Sequence, residues 1–379
     1  MSGPSRSAHG MSAPSGQADC VVSLGEFRRQ MPPDLLAALP WFIAYSGGLD
    51  STALLMASVE LGISVRAIHV NHHLQAAAAD MQAHCERMCA RHGVALDVLH
   101  ADVQCRGGDS IEAQARQARY EAIAQHVRAS TSDRPAVVLT AHHRDDQLET
   151  VLITLFRGSG LEGLAGMLPL SPLPVPGERT VWLARPFLQM GRDDIAAQAL
   201  QMGWEWFDDP TNDDVRLRRN WIRRQALPLI REHFPQVDAS LLRLSRQMAD
   251  ARDEWDDQAQ RLMQQCEVAP LCLSRTVWSQ FNEREQVRLL RYWLAGEGLR
   301  LNEARTLQLR EQLLRPQGGV RQVADEWGVE MRSGQMRIVR FGKQAEQTGE
   351  PKNEPQDEPQ DEPKDEPKDD FNAGRKGVE

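Results

Sequence analysis

A glycine pair set between hydroxyls and followed by a carboxylate, YSGGLDST at 45–52, is the segment of this chain best suited to chemistry. It follows an apolar run and precedes a helical stretch, where backbone N–H groups and the helix dipole favour an anion. Ser46 can offer a hydroxyl, while Gly47 and Gly48 let the main chain close on a phosphate. Leu49 continues the loop, Asp50 could help to hold Mg²⁺, and Ser51 either caps the helix or donates to phosphate. The result is a phosphate cradle that needs no lysine. The competing reading is an ordinary glycine turn with an Asp/Ser cap. A second block, AHHRDDQLETVLITLFRGSGLEGLAGM at 141–167, puts Asp146 and Glu149 at i,i+3 on one helix face. Two carboxylates there could serve Mg²⁺ or an ammonium group, or could form a solvated acidic face. A third signal is a charge reversal, from the acidic turn DDPTNDD (208–214) to VRLRRNWIRRQALPLIR (215–231), which holds six arginines and no acid.

The elements that must position these residues follow from the hydrophobic pattern. Apolar segments Trp41–Tyr45, Val65–Val70, Leu96–Leu99 and Val137–Ala141 alternate with helical stretches at Ser51–Leu61, Met81–His92, Ser110–Arg128 and Gln147–Phe156. Repeated βα units of this kind predict an α/β domain with a doubly wound parallel sheet, over 38–235. Such sheets bind ligands at the carboxyl ends of their strands, which points to the loops after Tyr45, Val70 and Ala141. A strand at Val181–Ala184 and a helix at Asp193–Met202 continue the domain. Residues 236–341 read as a mainly helical domain, with a long charged helix at Ser240–Cys266 and a terminal hairpin. Residues 1–37, small and polar, read as a disordered leader. Residues 342–379 read as a disordered tail with proline at every fourth position from Pro351 to Pro367.

Composition excludes several chemistries. The 379 residues carry a net charge of -9, but residues 1–342 hold 38 arginines against 41 acids, so the body is nearly neutral and a polyanion would need a local basic patch. All five lysines lie at or after Lys343. The folded body therefore cannot be a Walker-type nucleotide binder, a Schiff-base enzyme, a protein kinase or a lysyl-adenylate ligase. Six cysteines (20, 85, 89, 105, 266, 272) form no CxxC pair and read as reduced thiols. With no apolar run long enough for a membrane span and no signal-peptide core in the first 20 residues, the cytoplasm is the expected location. His69 and His72 could bind a metal but read better as satisfied loop histidines. Trp204, Trp206 and Trp221 read as core residues, with base stacking the alternative for one of them.

Residues 46–51 match the SGGxDS signature and resemble the PP-loop ATP pyrophosphatases, which are Rossmann-like. Within that superfamily the second block resembles the HxDDQxET and RGSGxxGLxGM pattern of the tRNA(Ile)-lysidine synthetase family, at His143, Asp145, Asp146, Gln147, Glu149 and Thr150. IHVNHHL (68–74), EAQARQARY (112–120) and DDPTNDDVRLRRNWIR (208–223) are similar to further motifs of that family. The resemblance covers about 38–341, most strongly to 235. It departs at His73, which stands where the family's HxxHGL motif has glycine, and at the C-terminus, where some members carry a further small domain. The resemblance implies ATP and Mg²⁺ as cofactors, and free lysine and the CAU-anticodon tRNA(Ile) as substrates. It implies catalytic roles for Asp50, Asp146, Glu149 and Arg219, with Asp50 and Asp146 on the metal. His143, Glu149, Arg219 and Arg223 would contact substrate. The alternatives are a tRNA thiolase of the same superfamily, which would normally need cysteines, and a non-catalytic RNA-binding relative.

Overall fold

The computed structural model describes residues 19–72, 77–101, 111–176, 178, 180–208, 218–324 and 326–341. Six strands form the first sheet: β1 (Trp41–Ala44), β2 (Val65–Asn71), β3 (Ala95–His100), β4 (Ala136–Leu139), β5 (Leu170–Pro172) and β6 (Val181–Ala184). Their order is β3-β2-β1-β4-β6-β5, parallel throughout except for β5, which runs antiparallel to β6 at the edge. The central strands β1, β4 and β6 are short, apolar and covered on both faces, so they read as continuous hydrophobic runs rather than alternating ones. β4 is buried at all four positions.

Eight helices accompany this sheet: α1 (Cys20–Arg29), α2 (Pro33–Leu36), α3 (Leu49–Glu60), α4 (Ala78–Arg91), α5 (Ile111–Thr131), α6 (Arg144–Phe156), α7 (Leu161–Leu164) and α8 (Arg192–Met202). Residues from α1, α3, α4 and α8 pack with Trp41, Ile43 and Val137 into one core. Tyr120, Ile123 and Val127 of α5 pack with Phe42, Val138 and Leu183 into another. The chain runs outward from β1 through β2 to β3, then returns to place β4 on the other side of β1. The strand order thus reverses between β1 and β4, the position at which open α/β sheets leave a ligand crevice.

The expected disordered leader over 1–37 is corrected for its second part. Cys20, Leu24, Phe27, Met31 and Leu35 bury their side chains in the first core, and Asp19 caps α1 by accepting from the N–H groups of Val21 and Val22. The apolar positions recur every three or four residues, so burying that stripe offsets the ordering entropy. Residues 1–18 and the tail at 342–379 lie outside the described residues.

After α8 come α9 (Arg218–Trp221), a π-helical turn at Ile222–Ala226, α10 (Leu227–His233) and the long α11 (Val237–Cys266). The π turn has a local cause. Pro228 has no N–H to give and its ring crowds the carbonyl four residues back, so the helix widens before it. The expectation of a mainly helical second domain with one hairpin is also corrected. α12 (Arg275–Trp278), α13 (Glu283–Ala295) and α14 (Glu303–Leu314) surround a five-stranded antiparallel sheet. Its strands are β7 (Glu267–Ala269), β8 (Cys272–Ser274), β9 (Gly319–Ala324), β10 (Trp327–Arg332) and β11 (Gln335–Arg340), in the order β7-β8-β11-β10-β9. The expected hairpin is the β10–β11 pair. This part has its own core around Trp278, Leu289, Trp293, Leu313 and Val329. Among the described residues no helix is long and apolar enough to cross a membrane.

Candidate active site

The loop after β1 enters α3 through Gly47 at φ 82° and Gly48 as N-cap. Gly47 is obligatory on two counts. Its φ lies in the left-handed region, and a Cβ there would stand 2.9 Å from Cys85 Sγ on α4. Below the glycines a hydroxyl network fixes the turn: Ser46 Oγ and Ser51 Oγ share a hydrogen bond at 3.0 Å, Ser51 Oγ donates to Gly48 O, and Gly48 N–H donates to Ser46 Oγ. No side chain caps α3, so its first N–H groups remain for an anion.

Across the strand-order reversal, the loop after β4 leads into α6. His143 is its N-cap, accepting from the Asp146 N–H at 3.4 Å, while the Asp146 carboxylate accepts from the His143 N–H at 3.0 Å. This reciprocal box holds the His143 ring between the two loops, with Nε2 3.7 Å from Asp50 Oδ2 and 3.4 Å from Asp146 Oδ2. The structure therefore brings together the two acidic positions that the sequence separates by almost a hundred residues. Asp50 Oδ1 is buried and has no hydrogen-bond partner. Burial pushes the Asp50 carboxyl above its ordinary range, with His143 and Arg192 pulling the other way.

Glu149 lies one turn along α6 and is fully buried. Arg223, from the π turn, donates through Nε to Glu149 Oε1 at 2.6 Å and through Nη2 to Asp146 Oδ1 at 3.3 Å. One guanidinium thus spans the carboxylate pair. Burial pushes Glu149 up against the opposing effect of Arg223. Burial alone would lower the Arg223 pKa, but Glu149 and Asp146 raise it. Glu149 Oε2 remains buried and unpartnered. Arg219 donates to Thr150 Oγ1 at 3.4 Å, which keeps it beside the same helix.

Two residues that the sequence marks only as members of a motif and of the basic run take supporting contacts in the structure. The side-chain amide of Gln147 accepts from Met167 N–H at 2.8 Å and donates to Met167 O and to Ser245 Oγ on α11, fastening the Gly-rich loop to α6. Gly166, at φ 66°, leaves room for that amide. Arg231, the last arginine of the basic run, is tied to Asp145 and Asp238. The weaker expectations resolve simply. His69 is buried against Tyr45 O at 3.0 Å, Trp204 is in the core, and Trp206 packs partly against it. Trp221 is exposed. Among the described residues no group of three or more His, Cys, Asp or Glu side chains is placed to hold a metal. His73, Leu74, Cys105, Arg216 and the acidic turn at 209–214 lie outside the described residues.

A glycine turn at the carboxyl end of a parallel strand faces a row of carboxylates, and residues 27–230 match the family model of the PP-loop domain. The chain belongs to the PP-loop family. Curated relatives of this PP-loop protein include tRNA(Ile)-lysidine synthase of Methylococcus capsulatus (strain Bath), 40% identical over 293 residues, which are 76% of this chain and 64% of that protein. The tRNA(Ile)-lysidine synthase of Ralstonia nicotianae is 41% identical over 280 residues, 72% of this chain and 58% of that protein. That of Pseudomonas aeruginosa is 42% identical over 218 residues, 56% and 47% of the two chains. The PP-loop chain thus spans 64% or less of the length of these relatives.

Proposed function

We propose that this PP-loop protein ligates free lysine to the wobble cytidine of the CAU-anticodon tRNA(Ile), converting ATP to AMP and pyrophosphate. The observation that carries the reading is the meeting of the 46–51 loop and the Asp146–Glu149 face through His143. Phosphate binding and amine binding then lie side by side. The relatives' names supply the particular substrates.

In this reading the N–H groups at the start of α3, with Ser46 and Ser51, grip the pyrophosphate of ATP. The cytosine O2 attacks the α-phosphorus; the O2–P bond forms as the bond to pyrophosphate breaks. The lysine ε-amine then adds at C2, AMP leaves with the O2 oxygen, and the amine loses a proton. Glu149, with one oxygen held by Arg223 and the other without a partner, is placed to receive the ammonium group. Arg219 meets negative charge on phosphate or on the lysine carboxylate. The donor set fits Mg²⁺, which is commonly held by one or two carboxylates together with substrate phosphates. Asp50, through its unpartnered Oδ1, and Asp146 would hold it, and the ion would neutralise phosphate charge.

The first sheet is read as the Rossmann-like, doubly wound catalytic domain over 38–235, and residues 236–341 as the tRNA-binding part of a cytoplasmic enzyme. A thiolase reading gains no support from the described cysteines, which are all buried, with the Cys85 thiol pushed up to about 12 and Cys89 to about 11 by burial. Incubation with ATP, labelled lysine and each of the two CAU-anticodon tRNAs tests the reading. Label should enter the isoleucine tRNA with release of AMP and pyrophosphate. The absence of tRNA-dependent pyrophosphate release would overturn it.

A further inference from the structure

Arg116 and Arg185, beside the β4–α6 loop, are not used by the chemistry above. Arg185 directly follows β6, and Thr140 directly follows β4, with the Thr140 N–H donating to Ala184 O at 2.8 Å. This places Arg185 next to the loop that carries His142, whose Nδ1 is 2.9 Å from Thr140 Oγ1. Arg185 is only 6% exposed, yet among the described residues its guanidinium meets only neutral oxygens, Leu168 O at 2.7 Å and Ser171 Oγ at 3.1 Å. Its Nε is buried with no partner. Arg116 of α5 leans over the Tyr120 ring at 5.2 Å and lines the same cleft as Arg185.

Among the described residues no carboxylate pairs with Arg116, Arg185 or Arg219. Burial, with Arg185, Arg116 and Arg219, pushes His142 well below its ordinary pKa, and burial, with Arg116, brings Arg185 down to about 10. A buried guanidinium without a counter-ion is costly, which makes the neighbourhood of Arg185 favourable for an anion.

We propose that Arg116 and Arg185, which line one cleft beside the loop of His142, bind a backbone phosphate of the RNA strand whose base enters the active site. The proposal rests on the ligase reading for the identity of that RNA. The cleft onto which Arg116 and Arg185 open has a volume of about 2420 Å³, larger than the ~300–1,000 Å³ typical of a small-molecule site. It runs past Gly166, Met167 and Leu168, the stretch that Gln147 fastens to α6. Arg284, Arg288 and Arg291 also line the cleft, interspersed with Asp253, Asp257 and Glu283, and the Arg288 guanidinium lies 4.4 Å above the Trp255 ring. Guanidinium groups and an aromatic face are the donors a single-stranded or loop RNA meets. Phosphate contacts of this kind set register without reading sequence. A grip beside the reacting base would decide which nucleotide reaches Asp146 and Glu149.

Arg116→Gln, Arg185→Gln and Arg116→Lys in the full chain test this by RNA binding across a salt series, using the CAU-anticodon tRNA(Ile). Each glutamine variant should bind about tenfold more weakly, and its log K against log salt slope should flatten by roughly 0.7 to 0.9, with ATP affinity and lysine KM unchanged. Arg116→Lys should regain the wild-type slope. Should the buried Arg185→Gln fail to fold, half-buried Arg116 still decides the matter. Unchanged RNA affinity and slope in Arg116→Gln would overturn the proposal, as would a wild-type protein that binds no RNA. A raised lysine KM with unaltered RNA binding would assign the pair to the amino-acid carboxylate and also overturn it. Wild-type tRNA-dependent pyrophosphate release, measured alongside, tests the ligase reading separately: without it, weakened RNA binding by Arg116→Gln still supports the phosphate site.

Discussion

Asp50 and Glu149 are both acidic, both near Asp146, and both hold one buried oxygen without a partner, yet their surroundings assign them different work. Asp50 sits in the phosphate loop and faces His143 at 3.7 Å. Its replacement by alanine should remove pyrophosphate release while leaving the melting temperature close to wild type, because the side chain supports no core contact. Circular dichroism with a pyrophosphate assay checks this, and a folded variant with normal release would move the nucleotide role elsewhere. Glu149 faces Arg223. Glu149→Gln keeps the shape and removes the charge, and Asp146 still accepts from Arg223, so the fold should hold. A charge-assisted hydrogen bond contributes about 1.5–3 kcal/mol, so the lysine KM should rise about tenfold or more, with ATP binding unmoved. An unchanged KM would mean that the ammonium group is met by another residue. The spacing of Asp146 and Glu149 makes their shared face legible from sequence. Their capture by one guanidinium is not legible, because Arg223 lies 74 residues further along the chain and reaches them only through the tertiary fold.

At the scale of elements, the βα alternation places β1, β2, β4 and the helices after them within a few residues of their observed bounds, since short apolar runs bounded by polar loops have few other solutions. Two features depend on information that local pattern lacks. The π turn arises where Pro228 meets a helix that tertiary packing keeps intact, and it turns Arg223 toward α6. The strands β7 and β8 are three residues each and gain their identity from pairing with one another and, for β8, with β11. For α1, by contrast, a signal was present in the stripe Cys20, Leu24, Phe27, Met31, Leu35, overshadowed by the polar residues before it. The β1–α3 turn gives the sharpest test at this level, because it rests on α4 through Gly47 and Cys85. Gly47→Ala combines a left-handed φ, about 1–2 kcal/mol for a residue with a Cβ, with a 2.9 Å approach to Cys85 Sγ. The variant should melt a few degrees lower and lose most of its ATP affinity. Calorimetry and nucleotide titration measure both. Wild-type affinity would show that the loop tolerates another path.

For the molecule as a whole, electrostatics is the governing consideration, because a nearly neutral body must collect its cations locally to hold a polyanion. The arginine run from 216 to 231 is the densest such collection in the sequence, but the structure divides its duties. Arg223 belongs to the carboxylate pair and Arg231 to Asp145 and Asp238, so replacing either should cost stability as well as binding. Arg218 is exposed at the start of α9, on the side of the chain leading into the active site. An exposed arginine contributes little to folding, so Arg218→Ala should leave the melting temperature and ATP affinity unchanged. If it meets a phosphate it releases condensed counter-ions on binding, and its loss should weaken tRNA binding and flatten the salt slope by about 0.7 to 0.9. Fluorescence anisotropy across a salt series reads the slope directly. A wild-type slope in Arg218→Ala would place the docking surface beyond Val237, on the arginines that α11 and α13 present to the cleft.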